Sequence, residues 1–102
     1  MNAKNEWPEE LYDRIVNLLL EELPGRIELL RKGVADRDTD ELARISHRLR
    51  GSIAVLGLQS VTDLAGAVER HVRDGEKEKA MEEAARLADK LERVHREMSD
   101  ID

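Results

Sequence analysis

Apolar residues recur every three or four positions along most of the chain, and this spacing predicts four helical blocks. The apolar positions of the first block, which are predicted to form one buried helix face, are Leu11, Ile15, Leu19, Leu23, Ile27, Leu30 and Val34. That block contains 24-PG-25, which is a turn signal, but the apolar phase continues through it. We therefore expect the first block to be kinked or split near Pro24, without a long loop.

The second block follows the polar connection 35-ADRDTDE-41. Asp38 or Thr39 is placed to cap this helix, because side-chain oxygens at that position accept hydrogen bonds from the first free backbone N–H groups. The helix is predicted to end near Leu56, where Gly57 is a typical stop residue.

The third block is predicted to run from about Ser60 to Arg73, with Ser60 and Asp63 forming a capping box. The polar turn 74-DGEKEK-79 separates it from a fourth apolar-periodic block. Short connections make sequential helices antiparallel neighbours. The predicted fold is therefore all-α, an up-and-down antiparallel four-helix bundle that forms a single domain over residues 1–102.

Composition narrows the class of protein. Phenylalanine is absent, and Trp7 and Tyr12 are the only large aromatic residues, so the core must be aliphatic. The 23 acidic residues against 17 basic ones give a net charge of -6, which argues against binding nucleic acid through the whole surface. The lack of cysteine excludes disulfides, thiolate catalysis and cysteine zinc sites. No apolar run is long enough to span a membrane, so we expect a cytoplasmic protein without direct membrane insertion.

His47 differs from the other polar residues of the second block in the residues that share its face of the helix. At 100° per residue, it lies about 160° from the centre of the apolar stripe and should face solvent. An exposed face in so charged a protein should carry Glu and Lys, but this one is small, partly apolar and edged by arginines. Such a face indicates a docking surface around a reactive group. Its members are Ala43, Arg44, Arg50, Gly51, Ala54 and Leu58.

The string 47-HRLRGS-52 resembles the signature of histidine-containing phosphotransfer (HPt) domains, which reads His, any residue, an aliphatic, Lys or Arg, Gly and a small residue. The four-helix pattern and the place of the histidine midway along the second block agree with that family, so the resemblance covers most of the chain. It implies that His47 accepts a phosphoryl group from an aspartyl phosphate on a response-regulator receiver domain and passes it to another receiver.

Residue chemistry supports roles for three residues of this string. Near neutral pH an imidazole is mostly unprotonated, and its free ring nitrogen is a nucleophile. Arg50 lies one turn from His47 and can offset the charge of a phosphoryl group. Glycine inside a helix costs about 1 kcal/mol relative to alanine. We interpret Gly51 as clearing space for the partner to reach His47.

Three further side chains could support the site. Arg48, like Arg44 and Arg50, places positive charge near the ring and favours its neutral form. Glu69 and Arg73 lie on the third helix at about the height of His47 if the two helices are antiparallel. A solvated ion pair between Glu69 and Arg73 is an equally good interpretation.

The resemblance implies a carrier that completes no chemistry alone and is not an enzyme. The metal that assists phosphoryl transfer would belong to the receiver, so we expect no metal site and no cofactor in this chain. The expected partners are response-regulator receiver domains, a hybrid histidine kinase, or both. We expect a monomer that binds no nucleic acid.

Two alternatives share the predicted fold. One is the phosphoacceptor domain of a chemotaxis-type histidine kinase, which has a similar motif. The other is a helical interaction module that has lost phosphotransfer, although the intact His47, Arg50 and Gly51 count against it. A short chain that starts at Met1 favours a stand-alone carrier or an excised module of a hybrid kinase.

The other two histidines have ordinary interpretations. His71 and His95 fall at the borders of their apolar stripes, as boundary residues do. Glu92 and His95 form one Glu-x-x-His pair, but a di-iron bundle needs a second copy. The sequence contains no second copy.

Overall fold

A computed structural model describes residues 8–100, which form four α-helices and no β-strand. The helices are α1 (Glu9–Ala35), α2 (Thr39–Ile53), α3 (Gln59–Arg73) and α4 (Lys77–Ser99). α2 packs against α3, α3 against α4, and α4 against α1. The predicted all-α helical bundle is confirmed. Trp7 lies outside the described residues.

α1 is one continuous helix that passes through Pro24. Proline has no N–H and removes one helical hydrogen bond, at a cost of about 3 kcal/mol. Leu23 and Ile27, on either side of it, are both buried. Burying two such side chains stabilises the fold by about 1.5–3 kcal/mol each, which offsets the lost hydrogen bond. The alternative of two helices joined at Pro24 is therefore wrong.

The first half of α1 contributes no buried residue. Every described residue before Leu23 is exposed or half-buried. Leu11, which the periodicity placed on the buried face, is 41% exposed, and Leu18 is 53% exposed. The prediction that Leu11 is buried is wrong, because the apolar stripe of α1 continues beyond the part of the helix that the bundle covers.

The ends of α2 follow the sequence signals. The Asp38 side chain accepts a hydrogen bond from the backbone N–H of Glu41 at 3.2 Å, which confirms Asp38 as the cap. A short 3-10 turn, Ala54–Leu56, continues the helix to the predicted end. Gly57 then reverses the chain with a φ of 70°, in the left-handed region that favours glycine.

The predicted capping box at the start of α3 is wrong. The helix begins at Gln59, one residue before Ser60, and Leu58 precedes it without a side-chain cap. Asp63 accepts a hydrogen bond from the Gln59 side-chain amide at 2.7 Å instead. The carboxylate of Asp63 therefore stabilises the first turn of α3 through Gln59, one residue before the Ser60 of the predicted capping box.

The core is aliphatic, as the composition predicts, with one polar exception. Ser46 is fully buried, and its hydroxyl has no hydrogen-bond partner. It lies directly before His47 on the inner side of α2. The largest fully buried apolar side chains of the core are Leu23, Leu30, Leu42, Leu49, Ile53, Val68, Leu87 and Leu91.

Replacing Ser46 with alanine should stabilise the fold. A buried hydroxyl without a partner costs about 1–3 kcal/mol, and alanine removes it while also favouring the helix. We expect the free energy of unfolding to rise by about 1 kcal/mol, as measured by urea denaturation. The half-buried Ser52 of α2 offers a matched control. A less stable Ser46→Ala variant would show that the hydroxyl is hydrogen-bonded in solution.

Candidate functional site

His47 lies in the second half of α2 with its side chain turned away from the core. The side chain is 68% exposed, whereas the neighbouring Ser46 and Leu49 are fully buried. The structure therefore places the imidazole at the surface, in the orientation that the helical phase predicts.

Glu69 of α3 holds one side of the imidazole. Its Oε1 atom lies 2.9 Å from Nδ1 of His47. A carboxylate can only accept a hydrogen bond, so Nδ1 carries the proton and donates it to Glu69. The neutral ring then has its free lone pair on Nε2, the nitrogen on the far side from Glu69. The contact fixes both the tautomer and the orientation of the ring.

The same carboxylate also faces Arg50. The Nε atom of Arg50 lies 3.3 Å from Oε2 of Glu69, although Oε2 is buried and has no well-aligned hydrogen bond. The interaction with Arg50 is thus mainly one of charge, and it is strengthened because Glu69 is only 19% exposed. Glu69 therefore links two residues of α2 that lie one turn apart.

Gly51 lies beside this group at an exposed position of α2. Apart from its chain neighbours and the backbone of its own helix, no atom lies within 4 Å of the point where a Cβ would be. Packing within the molecule therefore does not require glycine here, and the space beside His47 is open to solvent.

The other predicted docking residues differ in exposure. Ala43 and Leu58 are half-buried, and Leu58 packs against the core. Arg44 and Ala54 are exposed. Arg44 forms an ion pair with Glu41 of the preceding turn, so its charge is already partly compensated.

Neither of the other two predicted supporting residues forms an ion pair with Glu69, although Arg73 lines a groove together with Glu69. Arg48 lines a groove on the α1 side of α2, together with Glu22 and Leu29. Arg73 has Asp74 as its nearest acid, at 4.0 Å. Of the two interpretations of Glu69, the ion pair with Arg73 does not form. Glu69 contacts the site instead.

The remaining histidines lie elsewhere, at the borders of the core. His71 is half-buried, and its Nδ1 lies 3.0 Å from the Glu76 carboxylate, which joins the end of α3 to the start of α4. This hydrogen bond, followed by that from Lys79, lowers the pKa of Glu76. His95 is half-buried, and its neighbour Glu92 pairs with Arg31.

No metal centre is visible in the described part of the chain. Residues 8–100 contain no group of three or more His, Asp or Glu side chains that could hold a metal ion. None of the helices described for these residues combines the length and the apolar character needed to cross a membrane. What the site offers is an exposed nucleophilic nitrogen, a carboxylate that orients it and an adjacent guanidinium.

The family model described as "Hpt domain" matches residues 14–97. A curated relative, the signal transduction histidine-protein kinase BarA of Shigella flexneri, is 30% identical over 88 residues. The match covers 85% of this chain and 10% of the relative, so the chain spans about a tenth of that protein's length. No solved structure matches significantly.

Proposed function

The chain belongs to the Hpt domain family, and from this premise we propose that His47 is the residue that carries the phosphoryl group. Histidine phosphotransfer in a phosphorelay is the general role of the family. The proposed donor is the aspartyl phosphate of a receiver domain, and the proposed acceptor is the aspartate of another receiver. The observation that carries this assignment is the 2.9 Å contact between Glu69 and Nδ1, which leaves Nε2 of an exposed imidazole free.

The proposed reaction is a single displacement at phosphorus. The Nε2 lone pair forms the new P–N bond while the P–O bond to the donor aspartate breaks, and the carboxylate leaves with the electron pair. No proton has to move during this step. The ring becomes a phosphorylated imidazolium, and its Nδ1–H stays hydrogen-bonded to Glu69, as in other sites where a carboxylate orients and stabilises a histidine.

Arg50 provides the positive charge next to the transferred group. Its guanidinium is 46% exposed, so it can contact a phosphoryl group on Nε2 while its Nε stays near Glu69. Contacts of this kind between guanidinium and phosphate are charge-assisted and strong. In this proposal Arg50 stabilises both the transition state and the phosphohistidine.

The proposal assigns no metal or cofactor to this chain, because the metal that assists phosphoryl transfer would reside in the receiver. Proteins of the Hpt family are carriers that work with receiver domains and histidine kinases. We propose that this chain acts as a monomer in the cytoplasm. Because a curated relative is itself named a histidine-protein kinase, the second candidate is a phosphoacceptor domain within a kinase.

The test of this function is transfer of labelled phosphate from phosphorylated receiver domains. The product should be acid-labile and alkali-stable. Trypsin separates the three histidines into the peptides 45–48, 71–73 and 94–96, so mass spectrometry can locate the label. We expect it on 45–48 alone. Label on either of the other peptides, or no transfer from any receiver of the source organism, would contradict the proposal.

Substituting Gly51 with glutamine tests whether the open space serves the partner. We expect Gly51→Gln to keep or raise the stability of the fold, by up to about 1 kcal/mol, because the glycine penalty in the helix is removed. Transfer from a receiver should slow at least about tenfold, since small displacements of reacting groups are costly. Stopped-flow or quench-flow labelling would measure this rate.

Gly25 provides the matched control for this substitution. It too lies within a helix and has nothing within 4 Å of a Cβ position, but it is on α1. Gly25→Gln should leave the transfer rate unchanged. If Gly51→Gln also transfers at the normal rate, close approach is not the reason for the glycine.

A further inference from the structure

A groove between α2 and α3 opens beside the contact of His47 with Glu69. Its volume is about 660 Å³. Gly66, which is half-buried, contributes no side chain to its lining, and a Cβ there would only reach ordinary contact with Arg50 at 3.9 Å. The residues that line the groove are Arg50, Thr62, Asp63, Gly66, Glu69, Arg70 and Arg73.

The acidic residues of this groove are already engaged. Glu69 interacts with His47 and Arg50, and Asp63 accepts the hydrogen bond from Gln59. Neither carboxylate forms an ion pair with Arg70 or Arg73, and the lining carries three arginines against two acids.

Two arginines of α3 leave positive charge uncompensated in the groove. Arg70 is exposed and forms no ion pair with any residue from 8 to 100, and Arg73 approaches only Asp74, at 4.0 Å. Other arginines of the same molecule are paired within it, among them Arg26, Arg31, Arg37, Arg44 and Arg86. Arg14, Arg48, Arg93 and Arg96 also form no ion pair within residues 8–100. Arg70 and Arg73 differ from them in lining a net positive groove that includes Arg50 and Glu69, in a chain whose net charge is -6.

A second groove shows that size alone does not produce this charge. It lies between α3 and α4, has a volume of about 650 Å³, and is lined by three basic and three acidic side chains. Arg86 pairs there with Glu83 at 3.3 Å, and Asp89 pairs with Arg31 at 3.0 Å. The lining of this groove has equal numbers of basic and acidic side chains, and it serves as the reference for the first.

We propose that the groove between α2 and α3 binds a carboxylate-bearing segment of the protein that exchanges the phosphoryl group with His47. Arg70 and Arg73 recognise the carboxylates, because the planar guanidinium matches a carboxylate in two parallel hydrogen bonds. Arg50 remains with Glu69 and the phosphoryl group. The inference rests on the proposed function, and it assigns to Arg70 a role in choosing the partner and none in the displacement at phosphorus.

Peptide binding tests the groove without any phosphotransfer. An acetylated hexaglutamate amide would be titrated into the full chain at low ionic strength and followed by backbone amide NMR. We expect saturable shifts at Gly66, Arg70 and Arg73. They should be lost in Arg70→Glu and kept in Arg93→Glu, which makes the same charge change in the balanced groove. No saturable shift, or equal shifts around Arg93, would overturn the inference even if His47 carries the phosphoryl group.

Two phosphoryl donors separate partner recognition from chemistry. With a labelled phosphorylated receiver, Arg70→Glu should slow transfer about tenfold at low salt, and the difference should shrink as salt screens the charges. With phosphoramidate as a small donor, the rate should not change. Equal slowing with both donors would show that Arg70 acts on the phosphoryl group, and would overturn the docking role. If neither donor labels the wild type, the proposed function fails and the peptide titration decides the inference.

Discussion

His47→Gln should lose phosphoryl transfer by at least about a thousandfold, the scale on which removal of a nucleophile acts. Nε2 is the only ring nitrogen of His47 with a free lone pair, because Glu69 accepts the proton on Nδ1. A glutamine amide is similar in size but has no comparable nucleophile. Labelling by a phosphorylated receiver, followed with time, measures the loss.

The same variant must keep its fold for this result to be interpreted. Because the His47 side chain is 68% exposed, its replacement should change the free energy of unfolding by no more than about 0.5 kcal/mol. His95→Gln is the matched control, since it removes a histidine from the border of the core and should label normally. Transfer that persists in His47→Gln would remove the assignment.

Glu69→Ala should slow transfer about 10- to 100-fold, the usual cost of removing a group that orients a histidine. Two effects combine in this variant. The ring is no longer held with its proton on Nδ1, and the imidazolium formed during transfer loses its negative neighbour. Nitrogen-15 NMR of the ring would report the tautomer, and the labelling rate at saturating donor would report the chemistry.

Glu69→Gln separates these two effects. The side-chain carbonyl of glutamine can still accept the hydrogen bond from Nδ1, so the tautomer should be largely kept while the charge is lost. A rate between those of wild type and Glu69→Ala is expected. Glu83→Ala provides a control, because Glu83 is a similarly shielded carboxylate, 21% exposed and paired with Arg86 on α4. A Glu69→Ala variant with the normal rate and tautomer would reduce Glu69 to a packing residue.

Most of the fold follows from the spacing of apolar residues, because each helix buries one stripe. The predictions failed at positions where the sequence pattern alone does not show which other parts of the molecule contact a residue. Leu11 continues the apolar stripe of α1, but it is exposed beyond the buried part of that helix. The start of α3 was predicted one residue late, because Gln59 and Asp63 brace the first turn in place of a capping box.

The same distinction applies to the site. Features that depend on one helix could be predicted from the sequence, whereas features that depend on the packing of two helices could not. The outward orientation of His47 and the reach of Arg50 depend on the phase of α2 alone, so the sequence could predict them. The contact of Glu69 with both residues depends on how α3 is rotated against α2, and packing determines that rotation. Arg70 was not singled out, because its significance comes from a groove that two helices form together.

The unburied first half of α1 has a consequence for the thermodynamics of unfolding. The residues from Glu9 to Glu22 are helical but include no fully buried side chain, although Leu20 packs against the core. Unfolding therefore uncovers less new apolar surface there than in the rest of the bundle. The denaturant m-value and the heat-capacity change both scale with the surface that unfolding exposes. Both should therefore be lower than the number of helical residues suggests, so the protein will respond to urea as a smaller domain would.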